Sequence, residues 1–206
     1  MERTTIERRD VGEFDVLIDI KYAGICHSDI HQVDEGWDEG IFPMVPGHEI
    51  AGIVSEVGPG VTKFRAGDRV GVGCMVDSCR TCDNCKAGNE QYCTAAAWSA
   101  PTTTPARTPL DFSAYLSLKT DGALVNVGLP EEPISVDLFD VVTGRKTIAG
   151  SLIGGHRGDP GDAYFCAEHG IGAEIELIRA DQINGAYKRV LASDVRYRFV
   201  IDTATI

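Results

Sequence analysis

The segment Cys79-Arg80-Thr81-Cys82-Asp83-Asn84-Cys85-Lys86-Ala87-Gly88-Asn89-Glu90-Gln91-Tyr92-Cys93 sets four cysteines in the pattern C-x2-C-x2-C-x7-C. Each two-residue step lets consecutive thiolates reach one ion, and the longer step closes the loop with a fourth. Zinc accepts four thiolates in a tetrahedron that leaves no coordination position open. A site of that kind is structural, contributing folding energy and holding a lobe in shape. Cys79, Cys82, Cys85 and Cys93 are read as such a site, against the competing reading of four unliganded thiols. Upstream, Cys26-His27-Ser28-Asp29 and Gly47-His48-Glu49 bring further zinc-type donors, so that two zinc sites are expected in one small domain.

Composition narrows the class of function. The chain has 206 residues, 43% of them hydrophobic and 24% charged, which suits a folded globular protein and gives room for one large or two small domains. Its formal net charge of −12 opposes association with nucleic acid or anionic lipid, both polyanions. Small-molecule chemistry is the expectation that remains. No stretch approaches the roughly 20 apolar residues needed to cross a bilayer, and Met1 to Asp10 is charged rather than signal-like. Seven cysteines cannot all pair internally, and their clustering favours metal over disulfides in a reducing compartment. A cytoplasmic location is expected.

Along the chain, Phe14 to Ile20 alternates like a strand, Ile50 to Val57 is rich in β-branched residues, and Gly67 to Val72 reads as a turn feeding another strand. A short helix is expected from Ser28, as N-cap, toward Val33. Residues 94–110 change texture: Pro101, Pro105 and Pro109 among threonines cannot sustain a helix or a central strand, so this reads as a linker. Beyond it, Ala123 to Val127 and Thr147 to Ile153 read as buried strands, and Arg198 to Ile201 as a last strand. Asp181 is expected to cap a helix whose Ile183, Ala186, Tyr187, Val190 and Leu191 form a core face. Gly154 to Asp162 is expected to be an exposed loop.

Cys26 and His48, distant in sequence, are each followed by a carboxylate, Asp29 and Glu49. A ligating histidine commonly hands its other ring proton to such a group. Taken alone, one cysteine and one histidine are weak support for a metal site. Three motifs supply the context: Gly24-Ile25-Cys26-His27-Ser28-Asp29; Gly47-His48-Glu49-x2-Gly52-x5-Gly58-x2-Val61 followed by Gly67-Asp68-x-Val70; and the Cys79 to Cys93 lobe. Together they resemble the zinc-dependent medium-chain alcohol dehydrogenases, most closely the cinnamyl-alcohol-type, NADP-preferring branch. The resemblance is dense over residues 10–93 and thinner from Leu110 onward.

The resemblance implies a mixed β and α/β fold, a GroES-like β-rich zinc domain followed by a truncated Rossmann-like half sheet. The implied boundaries are 1–93 for the zinc domain, 94–110 for the linker and 111–206 for the partial Rossmann-like region. It implies Cys26 and His48 as catalytic zinc ligands, with Glu49 as an alternate ligand beside them and Asp29 orienting the site. Ser28 would exchange a hydrogen bond with the substrate oxygen, His31 would relay the proton outward, and His27 would lie near the phosphates of NADP(H). The substrates implied are small alcohols and aldehydes.

The same comparison shows gaps. Gly-x-Gly occurs at Gly58 and Gly60, Gly71 and Gly73, and Gly170 and Gly172, but never with the third glycine of the dinucleotide loop G-x-G-x-x-G. A second cysteine ligand of the catalytic zinc would also belong to the stretch that the linker replaces. A central block thus reads as deleted, with resemblance resuming at Asp111-Phe112-Ser113-Ala114-Tyr115-Leu116. A βαβ unit takes roughly 30 or more residues, so residues 111–206 have room for half of a doubly wound sheet. Its exposed edge and uncovered apolar face suggest a homo-oligomer or pairing with a complete homologue. The alternative to an impaired enzyme is a noncatalytic zinc module. Cys74 and Cys166 are spare thiols, Cys166 being expected in a helix core.

Overall fold

The computed structural model describes residues 1–37, 39–95, 118–128, 136, 138–151 and 161–206. They form two compact units, one of residues 1–34, 40–76 and 161–206, the other of 35–39 and 77–160.

The first unit is organised by β1 (Val16–Gly24), which lies at the centre of a five-stranded sheet. It pairs antiparallel with β2 (Glu49–Val57) on one side, and β2 pairs antiparallel with β3 (Arg69–Val72). Two register shifts, between Leu17 and Ile18 and between Ile20 and Tyr22, bend β1 along β2. The turn leaving β2 requires Gly58, because a Cβ there would sit 2.0 Å from the Gly12 carbonyl oxygen.

The other edge of β1 is filled by the far end of the chain. β7 (Arg198–Asp202) pairs antiparallel with β1, and β6 (Ile175–Arg179) runs parallel beside β7. The sheet order is β3-β2-β1-β7-β6. Residues 161–206 cluster with the N-terminal β-rich segment in one unit. The reason is that alternation marks a segment as a strand without naming its partner, and β7 finds the free edge of β1.

The core at this junction is Ile25, Ile178, Ala186 and Phe199, with Tyr187, Val190, Val195 and Ile201 packed against it. Helix α5 (Ile183–Leu191) supplies Ala186, Tyr187 and Val190 at helical spacing. Leu191, expected on the same face, is exposed in the last turn. The helix is entered through a 3-10 turn, Ala180–Gln182, in which Gln182 rather than Asp181 reaches back to the Arg179 N–H. Arg189 lies over the Phe199 ring, 4.6 Å from its centre, and pairs with Glu176 and Asp194 at 2.9 Å each.

Helix α4 (Gly161–Glu168) begins inside the stretch expected as loop, which shortens that loop at its C-terminal end. Its Cys166 is half-buried, while Tyr164 and Phe165 are exposed, so the face around Cys166 is not the core expected for it.

The second unit contains the cysteine lobe, with α2 (Asp83–Ala87), and a parallel pair, β4 (Ala123–Asn126) and β5 (Thr147–Gly150), connected through α3 (Leu138–Thr143). This β-α-β arrangement is the Rossmann-like half sheet. Its strands are not buried as expected: β5 is exposed throughout, and Val125, Leu138, Phe139 and Val142 all face solvent. Residues 96–117, which hold most of the linker and the point where the resemblance resumes, and residues 152–160 lie outside the described residues.

Phe199 is 0% exposed and central to the core. Phe199→Ala is expected to cost about 3–5 kcal/mol by removing a buried ring, whereas Leu191→Ala should stay within about 0.5 kcal/mol as a surface change; urea unfolding of the zinc-loaded variants measures both.

Candidate functional site

The site grows from where β1 ends. Gly24 is the register partner of Glu49 on β2 and of Val200 on β7, so the chain leaving β1 passes directly between the starts of two strands. Ile25 is buried, and its N–H donates to the Phe199 carbonyl at 3.0 Å. Cys26 then becomes the N-cap of α1 (His27–Val33), in place of the expected Ser28. The cause is Asp29, three residues on, whose Oδ2 accepts from the Cys26 N–H at 2.9 Å.

Asp29 also fixes His48. Its Oδ1 accepts from His48 Nδ1 at 3.0 Å, which leaves Nε2 with its lone pair available. Ser28 Oγ lies 3.4 Å from that Nε2. Asp29 is 5% exposed and is the buried charged residue among those described. A buried carboxylate costs several kcal/mol unless its oxygens are satisfied, and here both are. The Tyr187 hydroxyl is pushed up to about 12, chiefly by burial, with the charges of Asp29 and Asp34 adding to it.

Donor atoms of Cys26, His48 and Glu49 all lie within 4.8 Å of one another. One sulfur, one nitrogen and one oxygen at that spacing suit zinc and leave the fourth tetrahedral position open. Glu49 is held in a particular way. Its carboxylate occupies the space that a side chain on Gly24 would take, since a Cβ there would lie 2.3 Å from Oε2. Its Oε1 pairs at 2.9 Å with Arg198, whose guanidinium also donates to the Ile25 carbonyl at 3.0 Å.

Arg198 is the site residue that sequence reading missed. It was legible only as the first residue of a strand; the available signal was an arginine heading an otherwise apolar run. His27 and His31 are placed one turn apart on α1, their rings stacked with centres 4.6 Å apart. The structure therefore gathers Cys26, Ser28, Asp29, His48 and Glu49 into one cluster and sets His27 and His31 together on the adjoining helix.

The second cluster is the cysteine lobe. Cys82 is the N-cap of α2, Gly88 ends that helix in the left-handed conformation, and the turn Glu90–Tyr92 returns the chain to Cys93. The four sulfurs lie within 4.8 Å of one another. A tetrahedral ion with bonds of about 2.3 Å to sulfur has edges of about 3.8 Å, and Cys79 Sγ lies 3.8 Å from Cys85 Sγ. Backbone N–H groups point at the sulfurs: Cys82 N donates to Cys79 Sγ, and Cys79 N to Cys93 Sγ, each at 3.3 Å. Hydrogen bonds from Thr81 first, then from backbone N–H groups, hold the Cys79 thiol down at about 5, while burial pushes Cys85 up to about 11. The lobe thus already favours one thiolate, the form that binds metal.

Both clusters offer donor sets that could hold a metal ion. The alcohol dehydrogenase GroES-like domain family matches residues 12–124, and the chain belongs to that family. It is 38% identical to the NADP-dependent alcohol dehydrogenase C 1 of Mycolicibacterium smegmatis, across 100% of this chain and 95% of the relative. It is 32% identical to the probable cinnamyl alcohol dehydrogenase 3 of Oryza sativa subsp. japonica, across 96% of this chain and 88% of the relative. Among solved structures it resembles CAD from Helicobacter pylori complexed with NADP(H), with a TM-score of 0.82, 29% identity, and coverage of 96% of this chain and 92% of that one. The alignment with the M. smegmatis protein runs over 332 residues, so against a chain of 206 at least 126 of its positions meet no residue here.

Two outcomes are expected for the metal clusters. Cys82→Ser should unfold the 79–93 lobe and abolish one zinc equivalent, while Cys26→Ser should remove the other and leave the fold intact. Zinc content and amide exchange across 79–93 read this out, and equal damage from both would overturn the division into structural and catalytic sites. Asp29→Asn should weaken metal binding at Cys26, His48 and Glu49 by about 10–100-fold, as expected for a group that orients a ligand, with no effect on the cysteine lobe; competition with a chromophoric chelator measures it.

Proposed function

We propose that this chain is built for the interconversion of primary alcohols and aldehydes by hydride transfer with NADP(H), and that its turnover alone is impaired. The observation that carries the reading is the convergence of Cys26, His48 and Glu49 with the Ser28 hydroxyl beside His48. A zinc ion held by those three groups would supply Lewis-acid chemistry, polarising a carbonyl or acidifying a bound alcohol. Asp29 fixes the His48 tautomer. Ser28 hydrogen-bonds the substrate oxygen, and His31, three residues on along the same helix, takes the proton outward. His27 is the group assigned to the cofactor phosphates. Cys79, Cys82, Cys85 and Cys93 hold a structural zinc.

The nicotinamide cofactor fits less well. The chain contains no G-x-G-x-x-G, the loop whose backbone lets a pyrophosphate approach a helix N-terminus. The unmatched positions in the alignment with the M. smegmatis relative support an internal deletion as the cause. No residue role beyond that of His27 is assigned to the cofactor.

A second reading has its own observation. Phe139 is 73% exposed, and Leu138, Val142 and Val125 are exposed with it in the β4-α3-β5 unit, an apolar surface of the kind partners cover. That surface supports a noncatalytic zinc module that forms a homo-oligomer or pairs with a complete homologue. Among the described residues no helix is long and apolar enough to cross a membrane. The free thiols that the metal sites need support a cytoplasmic setting, and the negative charge supports a small-molecule substrate over nucleic acid.

Titration of the zinc-loaded protein with NADPH, followed by nicotinamide fluorescence, separates the readings. Saturable binding with slow aldehyde-dependent oxidation would support the enzymatic reading. No binding at millimolar NADPH would overturn the enzymatic reading and leave the module.

A further inference from the structure

The cysteine lobe differs from the Cys26 cluster in a chemical respect that metal binding alone does not use. It holds four sulfurs, all within 4.8 Å of one another, whereas the Cys26, His48 and Glu49 group holds one. Thiols this close can also be joined in pairs. Cys79 Sγ and Cys85 Sγ are 3.8 Å apart, and a disulfide bond is about 2.05 Å long, so an approach of about 1.8 Å makes it. Cys79 is the partner able to move, because it lies in a stretch of neither helix nor strand ahead of α2, while Cys85 is fixed in the middle of that helix.

Oxidants reach the lobe from solvent. Cys79, Cys82 and Cys93 are half-buried, and Cys85 is buried. Attack on a peroxide follows thiolate character and exposure. The Cys82 N–H donates to Cys79 Sγ at 3.3 Å, which favours the charged form of that sulfur. Cys79 is thus placed to react first, with Cys85 in contact behind it to resolve the product.

We infer that the lobe is a peroxide-sensitive zinc-release switch, in which Cys79 and Cys85 are joined as a disulfide and the ion is expelled. The Cys79 thiolate attacks a hydroperoxide and breaks its O–O bond, becoming a sulfenic acid, and the other oxygen leaves as water or an alcohol once protonated. The Cys85 sulfur then attacks the Cys79 sulfur and expels the sulfenic oxygen as water. Two thiolates give up two electrons, one hydroperoxide is reduced, and two protons are taken up. Cys82 and Cys93 are left as two ligands, too few for a closed four-sulfur site, so the zinc departs and with it the binding energy that supports the lobe. The Cys26 cluster has no second sulfur among its donors and cannot respond in this way. The switch requires that Cys79, Cys82, Cys85 and Cys93 hold zinc, as in the reading above, but not that the chain turn over alcohols.

Zinc is first counted per chain in the zinc-loaded parent and in Cys26→Ser, where what remains is the zinc of the lobe. Both proteins are then treated with increasing hydrogen peroxide beside a chromophoric zinc chelator, the remaining thiols are blocked, and disulfides are mapped by mass spectrometry of proteolytic peptides. The expected result is release of the lobe's one equivalent, beyond any release without peroxide, in step with a Cys79–Cys85 disulfide. Dithiothreitol and added zinc should restore it, and Cys74→Ser and Cys166→Ser should release it as readily as the parent. A Cys26→Ser protein that binds no zinc at the outset would overturn the structural-zinc reading and the switch together. Zinc retained while Cys74 and Cys166 are oxidised, release with only sulfinic or sulfonic acids in the lobe, or a first disulfide between any other pair of cysteines would overturn the switch alone.

Discussion

The hydrogen-bonding of the last residues of β1 is the constraint on which the rest of the site depends. Gly24 faces Glu49 across one side of the strand and Val200 across the other. A strand has two edges, and here each edge delivers one member of the site: β2 brings Glu49 next to His48, and β7 brings Arg198. The absence of a side chain at Gly24 leaves the volume in which the Glu49 carboxylate lies. The Ile25 N–H and carbonyl are then tied to Phe199 and Arg198, so the backbone is held on both sides as it enters α1. Cys26 is delivered to His48 by sheet register rather than by any property of its own.

The two metal clusters are held by different physics. The Cys26, His48 and Glu49 group sits on a sheet backed by an apolar core of Ile25, Ile178, Ala186 and Phe199, and the buried Asp29 organises it through hydrogen bonds. The cysteine lobe has a five-residue helix and a single turn around its sulfurs, with Cys85 as its buried side chain. So small a lobe cannot offset the entropy of ordering its chain by hydrophobic burial alone. An ion held by the four sulfurs would couple metal binding to the folding of the lobe, since binding energy at a thiolate site is folding energy.

Local pattern made much of this legible in the sequence. The cysteine spacing, the strands at 49–57 and 69–72, and the helix after Cys26 follow from side-chain period and from donors close in the chain. What was not legible was pairing. The residues at 198–202 mark a strand without naming its neighbours, and β7 takes two: the preceding strand β6 on one edge and the first strand of the chain, β1, on the other. The same blindness hid Arg198, whose partner Glu49 is brought to it by that pairing. The helix cap lies at Cys26 rather than Ser28 for a local reason: Asp29, three residues after Cys26, accepts from the Cys26 N–H and fixes the helix start there. The strands at 123–126 and 147–150 read as buried from their apolar content, yet apolar content specifies a preference for cover and not that the cover is there.

The distribution of these parts bears on how the Cys26 cluster depends on the sequence between its segments. Every residue of the Cys26 cluster, including Asp29 and Arg198, belongs to the unit made of the N-terminal strands and the C-terminal β6, α5 and β7. Gly24 and Val200 lie 176 positions apart in sequence (200 − 24) but are bonded as neighbours in one sheet. A change in the length of sequence between them alters the connection without changing the pairs that define the site, because closing a loop costs free energy only as the logarithm of its length. A glycine loop for a dinucleotide has no such protection, since its geometry is local to one strand, one turn and one helix. Metal chemistry and cofactor binding are therefore separable in this architecture, and a chain can retain the donor set for the first while lacking the loop for the second.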